Sequence, residues 1–101
     1  MALVRPPRVS IAGAASKVYQ LELAERSVLV FNVHPSATKA MIWTLFENTG
    51  PVEHAIMRIG PDGYTQVAMV LFVHKESVTV STESFNNCLF YGQVIQVSPM
   101  L

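Results

Sequence analysis

The sequence predicts an α+β domain in the order strand, helix, strand, strand, helix, strand. These elements close into a four-stranded antiparallel sheet with two helices on one face. Three observations carry this. Residues 27–33 (SVLVFNV) and 64–73 (YTQVAMVLFV) are dense in β-branched and aromatic residues, as buried strands are. Between them Met41, Ile42, Leu45 and Phe46 recur at helical spacing. His34-Pro35, Gly50-Pro51 and Gly60-Pro61-Asp62-Gly63 separate the segments with turn and stop signals.

Residues 1–25, with Pro6, Pro7, Gly13 and a run of alanines, read as a flexible leader. Within it, residues 16–25 (SKVYQLELAE) fit two patterns. Tyr19, Leu21 and Leu23 alternate with polar residues as in an added strand, while Val18, Leu21 and Ala24 suit a helical turn. The folded domain is expected over 26–101. Its first strand, 27–33, ends at His34-Pro35. Ser36 is the expected N-cap of the first helix, and Gly50-Pro51 stops it. A second strand over 52–59 and a third over 64–73 flank the tight Gly60–Gly63 turn. Residues 75–87 predict the second helix, although Val78, Thr79, Val80 and Thr82 are β-branched and poor helix formers. Val78, Ser81, Thr82 and Phe85 fall on one face of it, and Asn86-Asn87 end it. Residues 92–98 form the last strand. Right-handed crossovers place both helices on one side of the sheet and leave the other side open.

A chain of 101 residues fits one domain. Half of it is apolar, 14% is charged and the mean hydropathy is +0.35, which excludes a disordered tail. No apolar run reaches the roughly 18 residues of a membrane-spanning helix, and no membrane partner is expected. Seven acids balance seven bases, so no global positive field draws the chain to nucleic acid. A neutral, apolar domain is also prone to stick, because little charge keeps copies apart. The lone Cys88 excludes an internally disulfide-bonded scaffold and points to a reducing compartment, nuclear or cytoplasmic. Arg5, Arg8 and Lys17 precede the first acid, Glu22, among serines and alanines, which makes a mitochondrial location the alternative.

The element order resembles the RNA recognition motif, a ferredoxin-like fold, over about residues 26–99. The family's first-strand hexamer (apolar, aromatic, apolar, any, Asn, apolar) reads here Val28-Leu29-Val30-Phe31-Asn32-Val33, with Leu29 at the aromatic position. Its helix-one signature is met by Leu45-Phe46 with Gly50 four residues on. Its third-strand octamer aligns with Thr65–Phe72, and the tail of helix two with Phe85-Asn86-Asn87, Phe90 and Gly92. The departures bear on function. Where the family stacks bases on one aromatic of the first strand and two of the third, this chain has Leu29, Val67 and Met69. Thr65 replaces the basic residue that opens the octamer. Such loss of sheet aromatics is similar in style to the polypyrimidine-tract-binding and matrin-like branch, whose domains hold short pyrimidine-rich RNA with aliphatic side chains.

Strand parity places Leu29, Phe31, Ile56, Arg58, Thr65, Val67, Met69, Leu71, Val94, Gln96 and Ser98 on the open face. Leu29, Phe31, Arg58, Val67, Met69 and Gln96 are the candidate RNA-binding residues. Phe31 offers a displaced stacking platform, Arg58 the face's one cation, and Gln96 an amide for base edges. An apolar face of this kind calls for an occupant. The leading candidate is single-stranded, pyrimidine-rich RNA, in a module of RNA processing that binds weakly alone. The alternative is a protein partner or a second copy docked on the sheet or on the helix face through Trp43.

Enzyme chemistry is not expected. The chain has no Gly-rich phosphate loop and no assembled nucleophile and base, and no cofactor is implied. His34, His54 and His74 recur every 20 residues. The topology sends His34 to the opposite end of the sheet from the other two, against a metal site. Cys88, beside Leu89 and Phe90, reads as an inert buried thiol.

Overall fold

The structure, a computed structural model, describes residues 7–101, with side chains from Ser16 onward. The first six residues of the expected leader lie outside it. The elements run α1 (Pro7–Glu25), β1 (Ser27–Val33), α2 (Lys39–Glu47), β2 (Val52–Ile59), β3 (Gln66–Phe72), α3 (Glu76–Phe85), β4 (Leu89–Phe90), β5 (Gln93–Val94) and β6 (Gln96–Pro99). The main sheet has the order β2-β3-β1-β6, antiparallel throughout, and β4-β5 is a separate hairpin. The expected ferredoxin-like α+β arrangement therefore stands, with a helix added before it and a hairpin inserted before the last strand.

The helix side of the sheet carries the core. Val28 and Val30 of β1 and Ala68, Val70 and Phe72 of β3 are fully buried beneath Ile42 and Phe46 of α2 and Val78 of α3. The Phe46 ring packs against Phe72 at 6.2 Å and, edge-on, against Phe85 at 5.2 Å between centroids. Buried aromatics of this size dominate the apolar area withdrawn from water. On α3, Val78 and Ser81 are buried and Thr82 and Phe85 partly so, the face that the sequence predicts.

Four local expectations are corrected. The helix α1 occupies residues 7–25, where a flexible leader is expected from sequence, and residues 16–25 take the helical of their two readings. Thr38, not Ser36, caps α2: its side chain accepts from the Met41 backbone N–H at 3.2 Å. Ser36 lies earlier, in a turn where its own N–H donates to His34 Nδ1. The third strand starts at Gln66, because Asp62 ties Tyr64 and Thr65 into the preceding turn. The last strand is broken. Tyr91 and Gly92, both at positive φ, turn the β4-β5 hairpin, and buried Ile95 separates β5 from β6.

Candidate nucleic-acid interface

The open face is built by alternation, and one irregularity in β1 shapes it. Val30 pairs with Ala68 but Val33 with Gln66, so three steps of β1 match two of β3. The bulge places Phe31 and Asn32 together opposite Val67, with Asn32 in the left-handed region at φ 64°. Asparagine tolerates that conformation better than most residues. Its side-chain N–H donates to the Val94 carbonyl at 2.9 Å, and Gln93 donates to its side-chain oxygen at 3.2 Å, which ties the bulge to the hairpin. The inserted residue also returns Val33 to the core, where plain alternation would point it outward.

Of the sequence-predicted residues, Leu29, Val67 and Met69 are half-buried in the middle of the face. Phe31 is 36% exposed, and Arg58 and Gln96 are exposed. Register brings them together. Leu29 pairs with Met69 and with Ser98, Phe31 with Gln96, and Arg58 with Val67. Phe31 is the one phenyl ring on this face. Among the described residues the Arg58 guanidinium hydrogen-bonds only to its neighbour's carbonyl, that of Met57, at 3.4 Å. Two of the expected face residues sit elsewhere and a third is covered. Thr65 is held in the turn by Asp62, whose carboxyl the Thr65 hydroxyl and the Tyr64 and Thr65 N–H groups hold below the usual carboxylate range. Val94 belongs to the hairpin. Leu71 is buried.

Leu71 and its partner Ser27 mark the end of the face where α1 enters. Ser27 is only 1% exposed, and its hydroxyl donates to the Leu23 carbonyl at 2.7 Å. The last turn of α1, with Leu23 and Ala24 half-buried, thus closes one corner of the sheet. The preceding turn of α1 does not lie over the face: Val18, Tyr19 and Leu21 remain more than half exposed. Sequence reasoning missed the part that Arg26 plays. Its guanidinium donates to Glu53 at 2.9 Å and to the Phe72 carbonyl at 2.6 Å, with Glu22 at 3.8 Å. It also missed Gln66, whose amide N–H groups reach the carbonyls of His34, Pro35 and Ala37 and fix the β1–α2 loop.

The helix side carries a shallower feature. Ala40, Met41, Thr44 and Leu45 of α2 form an apolar groove with Phe90 and Tyr91 of the hairpin. Trp43 is half-buried against the core, and its indole N–H donates to Glu47 at 3.3 Å. The same Glu47 oxygen accepts the Val52 N–H at 2.7 Å. Cys88 is partly buried, and that burial raises its thiol above the ordinary range. Among the described residues no three His, Cys, Asp or Glu side chains group as metal ligands would.

A model of the RNA recognition motif family matches residues 28–96. Among solved structures, the chain superposes on the third RRM domain of Mip6 with a TM-score of 0.70 at 20% identity, covering 75% of this chain and 93% of that one. The third RRM domain of Hrb1 gives 0.64 at 27% identity, with 72% and 74% covered. The RRM of Rna15 with bound RNA (GU) gives 0.63 at 21% identity, with 72% and 80% covered. No curated protein matches the sequence.

Proposed function

The chain belongs to the RNA recognition motif family, and on that premise we propose that it is a single-stranded RNA-binding module of RNA processing. Leu29, Phe31, Arg58, Val67, Met69 and Gln96 form its binding surface. The observation that carries this reading is the open face itself. Half-buried aliphatics, an exposed ring, a free guanidinium and a free amide share one surface that α1 leaves uncovered except at one corner. Fold and family give no support to an enzymatic role. A pyrimidine-rich strand is the favoured ligand, by likeness in style to the polypyrimidine-tract-binding and matrin-like branch. The nucleus or cytoplasm suits this role, with the mitochondrion as the alternative.

Affinity is modest, because cations supply much of the energy of RNA binding. Arg26 is spent on Glu53 and the sheet, which leaves Arg58 as the cation of the face. The module therefore works within a larger protein or complex. Titration with a short pyrimidine-rich RNA at two salt concentrations tests this. Amide shifts should centre on Leu29, Phe31, Val67 and Met69 and shrink at the higher salt. An unmoved spectrum at submillimolar RNA refutes the reading. A second reading, protein docking, is favoured by the apolar α2–hairpin groove and the exposed Leu89 and Tyr91 beside it. Shifts confined to that groove on adding a partner, with the sheet silent to RNA, would establish it instead.

A further inference from the structure

The register divides the open face into rows that run across the strands. One row joins Ile56, Met69, Leu29 and Ser98, each paired with the next. Its neighbour joins Arg58, Val67, Phe31 and Gln96, with the bulge seating Phe31 opposite Val67. The two rows differ in kind. The first holds three half-buried aliphatic side chains and a hydroxyl, without a ring or a cation. It contains Leu29 and Met69, which align with two of the family's usual stacking positions. The second starts on an exposed guanidinium and ends on an exposed amide, with an exposed phenyl ring between them. On the other side of the first row, Leu71 and Ser27 are buried, and the last turn of α1 holds Ser27 through the Leu23 carbonyl. A strand crossing the sheet is thus walled off on the α1 side. It finds charge, ring and hydrogen-bonding group together in one line at the far side.

The geometry points to a displaced track: RNA crosses the sheet along Arg58, Val67, Phe31 and Gln96, one row away from the line through Leu29 and Met69. This rests on the RNA-binding reading above and makes it specific. One base stacks on Phe31. The Gln96 amide, with two donors and an acceptor, meets the edge of that base. The adjoining nucleotide lies over Val67, and its phosphate meets Arg58. Three strand spacings of about 4.8 Å give the row a span of roughly 14 Å, room for about two nucleotides. The side-chain bonds of Asn32 to Val94 and Gln93 hold the bulge, and so hold the ring in place before RNA arrives.

The test is NMR titration of the whole chain with oligouridine, using variants from each row. Stacking energies of about 1–3 kcal/mol per base predict that Phe31→Ala weakens binding roughly 5- to 150-fold. Phe31→Tyr, which keeps the ring, should bind like the parent, and Gln96→Ala should lose several-fold. Met69→Ala, in the neighbouring row, should lose clearly less than Phe31→Ala, and Ser98→Ala, at the end of that row and outside the named binding residues, should stay within about twofold. The amide spectrum of each free variant shows whether it is folded. If Met69→Ala loses more affinity than Phe31→Ala, the displaced track is overturned while RNA binding stands. If the parent chain gives no shifts, the track and the RNA-binding reading both fail.

Discussion

On the helix side of the sheet, Val28, Val30, Ala68, Val70 and Phe72 have no exposed surface. On the open side, the residues between them, Leu29, Val67 and Met69, are only half-buried, and Phe31 stands out from the surface. The same strands supply both sets. The helix side has concentrated the rings, with Phe46 packed against both Phe72 and Phe85. The open side keeps aliphatics that shield one another sideways along the rows. Hydropathy alone does not separate these roles, since both faces are apolar. What separates them is the position of the rings and the presence of a cover.

The comparison can be broken most severely from the helix side. Phe46→Ala removes the ring that joins α2 to β3 and α3, and should cost about 3–5 kcal/mol in urea unfolding. Gly50→Ala comes next, at roughly 1–3 kcal/mol, because Gly50 holds φ at 152° and an added Cβ would collide with Ser77 Oγ. On the open side, Leu29→Phe returns a ring to a usual stacking position. It should tighten oligouridine binding by about 1 kcal/mol with little change in melting temperature. Equal losses of stability from Leu29→Phe and Phe46→Ala would erase the distinction between the faces. Arg58→Ala should lower the slope of log affinity against log salt by about one, and an unchanged slope would show that Arg58 meets no phosphate. The smallest effect belongs to Asp62. Its carboxyl titrates below the usual range, so its turn is held at neutral pH and released only as pH falls through and below that range. The Tyr64 and Thr65 amide shifts should follow that titration and lose it in Asp62→Ala.

Much of this is legible in the sequence because the signals are local. The alternation of Val28 to Phe31, the stripe of Met41, Ile42, Leu45 and Phe46, and the Gly50 stop each sit within a few residues. Other features depend on residues far apart. Arg26 meets Glu53 across 27 positions and Phe72 across 46, and nothing near Arg26 announces either. The β4-β5 hairpin turns on Tyr91 at φ 50°, a conformation that a tyrosine does not advertise. Residues 16–25 satisfied two periodicities, and their choice of helix is not written in the pattern. Of the candidate site, parity places Leu29, Phe31, Arg58, Val67, Met69 and Gln96 on one face, but not in rows. The rows follow from register, which the bulge at Asn32 sets.

Arg26 holds three elements with one side chain: α1 through Glu22, β2 through Glu53, and β3 through the carbonyl of Phe72. In mechanical terms α1 is a lever, about 28 Å long for its 19 residues, and the guanidinium is its fulcrum. A torque on the helix reaches the sheet along the backbone into β1 and through the guanidinium into β2, the strand that carries Arg58, and β3.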